Sequence, residues 1–214
     1  GDVQPVTQPL GVQLPRATQG ADNYDVDGKE RYIAFTANGS DNQVDPNIDI
    51  FFAMLGSDKA ENITAANPAS DANPSFSPDG KTLAFNSQRI PGFYADTARL
   101  QLYDTSSKKQ RELTTNWDRS VSSFVWAADG KGFYSSIDDA ASRRLYYIDA
   151  KNGKPRAITE HTSFGQPALL AGNKLVAGND SFLYPTRLVA VDARNGKTSR
   201  LDNFNDAVLA KAEL

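Results

Sequence analysis

One phrase returns four times along the chain, and its spacing restricts the possible folds more than any other feature. It is clearest as "SFSPDGKTLAF", followed by "RLQLYD" and "QRELT", which ends at Thr114. An earlier copy runs "DVDGKERYIAF", "IDIFFAML" and "AENIT" to Thr64, and a later one "FVWAADGKGFY", "RRLYYID" and "PRAIT" to Thr159. A fourth, more worn copy reads "ALLAGNKLVA", "TRLVAVD" and "TSRLD" to Asp202. Successive ends lie 50, 45 and 43 residues apart. A four-stranded propeller blade has a period of roughly 40–50 residues, whereas helical repeats of about 34 do not fit.

The fragments inside each copy read as strands. Leu100 to Tyr103 and Arg144 to Ile148 are short, rich in aromatic and aliphatic residues, and bounded by turn formers. A sustained 3.6-residue apolar stripe is absent until the last dozen residues, so only the tail after Phe204 leans helical. In the recurring phrase Pro78 presets a turn dihedral, Asp79 bonds the backbone ahead of it and Gly80 takes a positive φ. Asp27-Gly28, Asp129-Gly130 and Gly172-Asn173 are expected to do the same in the other copies, and their aspartates read as turn formers rather than catalytic groups. The fold class expected is all-β: a β-propeller of about four blades, each of four antiparallel strands.

If the strands of each blade are lettered a to d, a meander puts the a–b and c–d turns on one face and the b–c and d–a connections on the other. Ten of the eleven lysines fall in or beside the a–b and c–d turns, which marks that face as solvated surface. The opposite face receives the long connections, with Arg89, Phe93, Tyr94, Arg99, Trp117, Arg119, Phe182 and Tyr184. Arginine and aromatic residues in loops suit a binding surface, and ordinary loop packing is the competing reading for any one of them. Arg89, Tyr94, Arg99, Trp117, Arg119 and Tyr184 are the substrate-facing candidates. The arginines have two possible roles, holding a substrate carboxylate or pinning loops through Asp96 or Asp118, and pinning is favoured.

Most other chemistry is refused by the sequence. The 214 residues carry one histidine, no cysteine and an evenly spread net charge of −3, which excludes disulfides, thiolate metal sites and a basic nucleic-acid footprint. No Gly-x-Ser-x-Gly elbow occurs, and His161 reads as a loop packing residue. The two "GKT" triplets lack the upstream glycine of a phosphate loop, and "DPNID" at 45–49 lacks the glycine and glutamate of a calcium loop. No cofactor, metal or catalytic residue is therefore expected. Neither a membrane-length apolar run nor a leader segment is visible, so no membrane partner is expected.

"PSFSPDGKTLAF" resembles the TolB-type propeller repeat. The longer stretches "DANPSFSPDGKTLAFNSQRIPGFYADTARLQLYD", "RELTTNWDRSVSSFVWAADGKGFY", "FLYPTRLVAVD" and "RLDNFNDAVLA" resemble the propeller of bacterial prolyl oligopeptidase family serine peptidases, in the dipeptidyl-peptidase and acylaminoacyl-peptidase branch. The resemblance covers roughly residues 20 to 210. It implies a seven- or eight-bladed propeller of which this chain is an arc, a hydrolase domain in the same polypeptide as partner, peptide substrates, and a periplasmic or secreted location in a bacterium, with a cytoplasmic one as the alternative. It carries no catalytic triad onto these residues. The organisation expected is a preceding end strand and linker at 1–20, blades at 21–64, 65–114, 115–159 and 160–202, and a linker toward the hydrolase domain at 203–214. "GDVQPVT" at 1–7 looks like a further d strand, which either closes a four-bladed ring or belongs to a larger propeller. Open edges would lead the fragment to self-associate edge to edge. Two functions remain: the substrate-gating or positioning propeller of a peptidase, which is favoured, or a TolB-like periplasmic interaction module that catalyses nothing.

Overall fold

The computed structural model describes residues 24–40 and 47–211. The suggestions made for residues 1–23, including the extra d strand at 1–7, lie outside the described residues, as does the first half of "DPNID". The chain divides into two compact units, residues 1–116 and 117–214, each built from two antiparallel sheets.

In the first unit, β1 (Tyr24–Val26), β2 (Tyr32–Asn38), β3 (Ile48–Met54) and β4 (Ala60–Asn62) pair in chain order. β5 (Asp71–Phe76), β6 (Thr82–Ser87), β7 (Arg99–Asp104) and β8 (Gln110–Glu112) repeat that meander. Central strands such as "YIAFTAN" are apolar on both faces because each face is buried. One face of the first sheet packs Ala34 and Ile50 against Phe76, Leu83, Phe85 and Tyr103 of the second. Phe52 bridges the two, its ring 6.2 Å from Phe76 and 5.8 Å from Tyr103. Ile33, Phe35 and Phe51 form a second buried cluster on the other face.

The second unit holds β9 (Val125–Trp126), β10 (Gly132–Asp139), β11 (Ser142–Asp149) and β12 (Pro155–Ala157) in one sheet. Its other sheet comprises β13 (Ser163–Phe164), β14 (Ala168–Leu170), β15 (Lys174–Ser181), β16 (Tyr184–Asp192) and β17 (Thr198–Arg200). That sheet has five strands because β13 and β14 both pair with β15, which amounts to one inner strand broken in two. Pro167 between them has no N–H for the ladder, which accounts for the break. Tyr134, Leu145 and Ile158 pack on Phe164, Leu175, Val189 and Val191 in a shared core. The one helix among the described residues, α1 (Asp206–Leu209), lies in the expected tail.

The hairpins show why the phrase recurs, and they correct one copy. Ser77 N–H donates to the Thr82 carbonyl and Gly80 N–H to the Ser77 carbonyl, at 2.7 and 2.8 Å. Ala127, Gly130 and Gly132 repeat the pattern, and Gly80 and Gly130 have φ of 70° and 68°. In the first copy the equivalent donors are Asp27 and Glu30, so Glu30 takes the positive φ of 55° and Gly28 does not. Asp27 thus stands in the place of Ser77: its Oδ1 accepts the Tyr32 N–H as the Ser77 hydroxyl accepts that of Thr82. In the fourth copy Gly172 and Asn173 both take positive φ.

The repeat endings have a structural cause as well. Thr64, Thr114 and Thr159 each turn a buried hydroxyl oxygen to the N–H of Ile50, Leu100 and Leu145, at 2.9, 3.0 and 2.9 Å. In the fourth copy the Asp202 carboxylate accepts from Leu188 N–H. The outermost strand is thereby tied to the strand beside it at the same register in every sheet.

Candidate functional site

Each unit presents its own set of the loop residues singled out from the sequence. In the first, the connection between β6 and β7 is organised by the buried carboxylate of Asp96. Its Oδ2 accepts the N–H of Arg89 at 2.6 Å and of Ile90 at 3.1 Å, and its Oδ1 lies 3.3 Å from Arg99 Nη1. Burial pushes the Asp96 carboxyl upward, but those two N–H groups and Arg99 outweigh it and leave the group below the usual carboxylate range. Arg99 also donates to the Thr97 carbonyl and is only 17% exposed, so its fork is committed to holding the loop. Arg89 Nη2 donates to both Glu112 carboxylate oxygens, 2.7 Å to each, and the side chain remains half exposed. The loop so held projects Tyr94 fully into solvent, with Phe93 half exposed beside it.

Arg119 and Trp117 converge on one cluster in the second unit. Arg119 reaches Asp118 at 2.8 Å and Asp139 at 3.1 Å. Asp139 also accepts the Tyr146 hydroxyl at 2.6 Å and Arg144 Nη1 at 2.8 Å. The Tyr146 hydroxyl first, then Arg119 and Arg144, hold the Asp139 carboxyl below its ordinary value. The Trp117 ring lies 5.2 Å from that of Tyr146. Beside this hub opens a cavity of about 790 Å³, lined by Arg119 and Asp139, the Ala140–Ala141 turn, and Gly178, Asp180 and Thr186 of the fourth sheet. Both alanines of that turn have positive φ, as a two-residue hairpin reversal demands.

Tyr184 sits apart from that hub, at the β15–β16 hairpin. Its hydroxyl donates to Asn179 Oδ1 at 3.0 Å and its ring carries the Arg187 guanidinium 3.5 Å from the centroid. Arg187 was not among the residues singled out from the sequence; it lies three residues from Tyr184 on the same strand, a spacing that regular alternation would put on opposite faces. The tip itself bears Phe182 and Leu183, both exposed. His161 does not pack in its loop: it is 88% exposed, with Nε2 3.3 Å from Glu160. The ten lysines assigned to the tight turns are all exposed.

A third cluster was missed entirely. Asp71, fully buried at the start of β5, receives Asn67 Nδ2 at 3.1 Å on both oxygens, and Asp49 receives Asn47 and Asn62. Burial raises the Asp71 carboxyl to about 7, against hydrogen bonds from Ser87, Asn67 and Thr64. Asp49, the last residue of "DPNID", is thus part of a packed polar network. Single-letter spacing held no sign of it, because its partners come from four separate segments.

These folds and loops have recognisable counterparts. The chain is 31% identical over 163 residues to dipeptidyl-peptidase 5 of Porphyromonas gingivalis, an alignment covering 76% of this chain and 24% of that protein. It is 28% identical over 201 residues to a probable dipeptidyl-peptidase 5 of Emericella nidulans, covering 88% and 28%. The chain therefore spans about a quarter of the length of these relatives. No family profile matches it. Among solved structures, the propeller domain of the Trilobed protease of Pyrococcus furiosus superposes with a TM-score of 0.63 at 18% identity, covering 88% of this chain and 54% of that one. The acylaminoacyl peptidase of Pyrococcus horikoshii gives 0.66 at 16%, covering 89% and 28%, and TolB of Acinetobacter baumannii 0.58 at 22%, covering 84% and 43%. The fold is a β-propeller fold, and the resemblance to TolB-like repeats and to peptidase-associated propellers read from the sequence holds.

Proposed function

We propose that a chain related to one quarter of the dipeptidyl-peptidases 5 is the non-catalytic propeller portion of a serine peptidase of the prolyl oligopeptidase family. In this reading the four sheets are blades 21–64, 65–114, 115–159 and 160–202 of a seven- or eight-bladed propeller. Residues 1–20 come from a preceding blade, and 203–214 lead toward an α/β-hydrolase domain in the same polypeptide. That domain hydrolyses short peptides by acyl-enzyme chemistry, while the propeller admits and positions them. The observation that carries the reading is the 31% identity to a dipeptidyl-peptidase across 163 residues of propeller repeat. A periplasmic or secreted location in a bacterium is part of the same proposal, and the likeness to TolB supports it. Among the described residues no helix is long and apolar enough to cross a membrane.

Of the candidates, Arg89, Tyr94, Trp117, Arg119 and Tyr184 are the substrate-facing residues of this proposal and Arg99 pins the loop that carries Tyr94; Tyr94 and Trp117 give aromatic contact area, and Arg89 and Arg119 retain exposed edges. The cavity beside Arg119 is large enough for a dipeptide-sized ligand. The test has two arms. The 214-residue chain alone is expected to leave a chromogenic dipeptide intact, and the polypeptide extended beyond Leu214 is expected to cleave it through a Gly-x-Ser-x-Gly serine. An extended polypeptide without such an elbow and without turnover would overturn the peptidase reading. It would leave the TolB-like interaction module, which the TolB superposition favours.

A further inference from the structure

Arginine pairing among the described residues follows one rule with one exception. Eight arginines end on a carboxylate, Arg156 donates to the Ala193 carbonyl, and Arg111 is also engaged. Arg187 has no hydrogen-bond or ion-pair partner among the described residues, and its Nε is buried without an acceptor. A guanidinium left with an unmet buried donor calls for an explanation.

The side chain is nevertheless held in place. Its plane stacks 3.5 Å from the Tyr184 ring centroid. Tyr184 is fixed through its hydroxyl to Asn179, and Asn179 is fixed in turn by Thr162 and the Ser163 carbonyl. Across the ladder Arg187 pairs with Asn179, and the register shifts just beyond that pair, between Asn179 and Ser181. The terminal nitrogens are not among the buried unpaired atoms, so they retain solvent access. Five and four residues earlier, at the tip of the same hairpin, Phe182 is completely exposed and Leu183 is 71% exposed.

The geometry points to Arg187 as a carboxylate-reading residue: its fork takes a carboxylate of a short peptide, whose apolar side chain lies on Phe182 and Leu183. This rests on the proposal that peptides approach these loops, and it names the group they present. A planar fork locked by stacking matches a carboxylate bidentately and loses little entropy on binding.

The test follows the arginine Nε–Hε resonances of the 214-residue chain by NMR at constant ionic strength. The dipeptide Ala-Phe is titrated beside its C-terminal amide and beside Ala-Glu amide, which carries its carboxylate on the side chain. Ala-Phe is expected to shift the Arg187 signal saturably and to bind at least about tenfold more tightly than Ala-Phe amide, the difference one charge-assisted bidentate contact makes. Arg187→Gln should abolish that preference, and Arg187→Lys, which keeps the charge without the fork, should restore only part of it. Ala-Phe and Ala-Glu amide binding alike would support a carboxylate site that accepts either source, and Ala-Phe alone would support a C-terminus reader. Equal binding of Ala-Phe and its amide, or no shift at Arg187, overturns the inference. If Ala-Phe then moves the Arg119 and Trp117 signals, the peptide reading survives without Arg187. If it moves none, both fall.

Discussion

A threonine hydroxyl closes each of the first three repeats, and its value lies in what it prevents. Leu100 N–H is buried, and without the Thr114 oxygen it would have no acceptor. Thr114→Val keeps the shape and removes the acceptor, so chemical denaturation should show a loss of about 1–3 kcal/mol, while Thr114→Ser should lose far less. Equal losses would assign the effect to packing. Asp71 acts in the opposite sense. Its folded-state carboxyl stands at about 7, above the unfolded value of 3.8, so between those limits the folded chain binds more protons than the unfolded one. Stability from this group is complete below pH 3.8 and lost as pH rises through about 7. Asp104 and Asp192, held at about 2 by turn hydrogen bonds, act the other way and only in acid. From pH 5 to 8 the melting temperature should therefore fall more in the parent than in Asp71→Asn. Parallel curves would mean that Asp71 ionises without penalty.

The hairpins show what a sequence reveals at the level of the element and where it misleads. The four repeats, the antiparallel order of their strands and the turns at residues 77–82 and 127–132 were legible, since short aromatic and aliphatic runs and Asp-Gly signals are local properties, whereas the break of an inner strand at Pro167 was not. The first copy was misregistered by two residues because "DG" at 27–28 imitates "DG" at 79–80. Asp27 is there to accept N–H groups and pair with Arg31, with its carboxylate fully buried. Only the ladder shows that Glu30 takes the glycine position. Glu30 at φ 55° carries strain that Gly80 avoids. Glu30→Gly should therefore be neutral or stabilising by up to about 1 kcal/mol, and Gly80→Ala should cost about 1–2 kcal/mol. The alanine methyl would also come within 3.0 Å of Asp27 Oδ2. A destabilising Glu30→Gly would show that its side chain has a role beyond the turn. The Asp49–Asp71 network was illegible because it joins residues from separate segments, and the Arg187 stack because two residues three apart on one strand are expected on opposite faces.

At the scale of the molecule, nearly every charge on the long loops is already matched, and that decides how the loop arginines should respond to mutation. Arg99 is spent on Asp96 and the Thr97 carbonyl at 17% exposure, so removing it leaves a buried carboxylate short of a partner. Arg119 is 36% exposed, and Asp139 keeps Arg144 and Tyr146 if it is lost. On the proposed reading, in a polypeptide that also carries the hydrolase domain, Arg99→Ala should lower the melting temperature, and any fall in kcat/KM should accompany that loosening of the loop that carries Tyr94. Arg119→Ala should leave the melting temperature nearly unchanged and lower kcat/KM, because its exposed edge lines the 790 Å³ cavity and its ion pair is replaceable. The two arginines thus separate a loop-pinning role from a substrate-facing one within a single set of measurements. If Arg119→Ala changes neither quantity, the cavity takes no part in substrate passage. If it lowers the melting temperature as far as Arg99→Ala, Asp139 depends on it, and its place is in the framework of the third sheet.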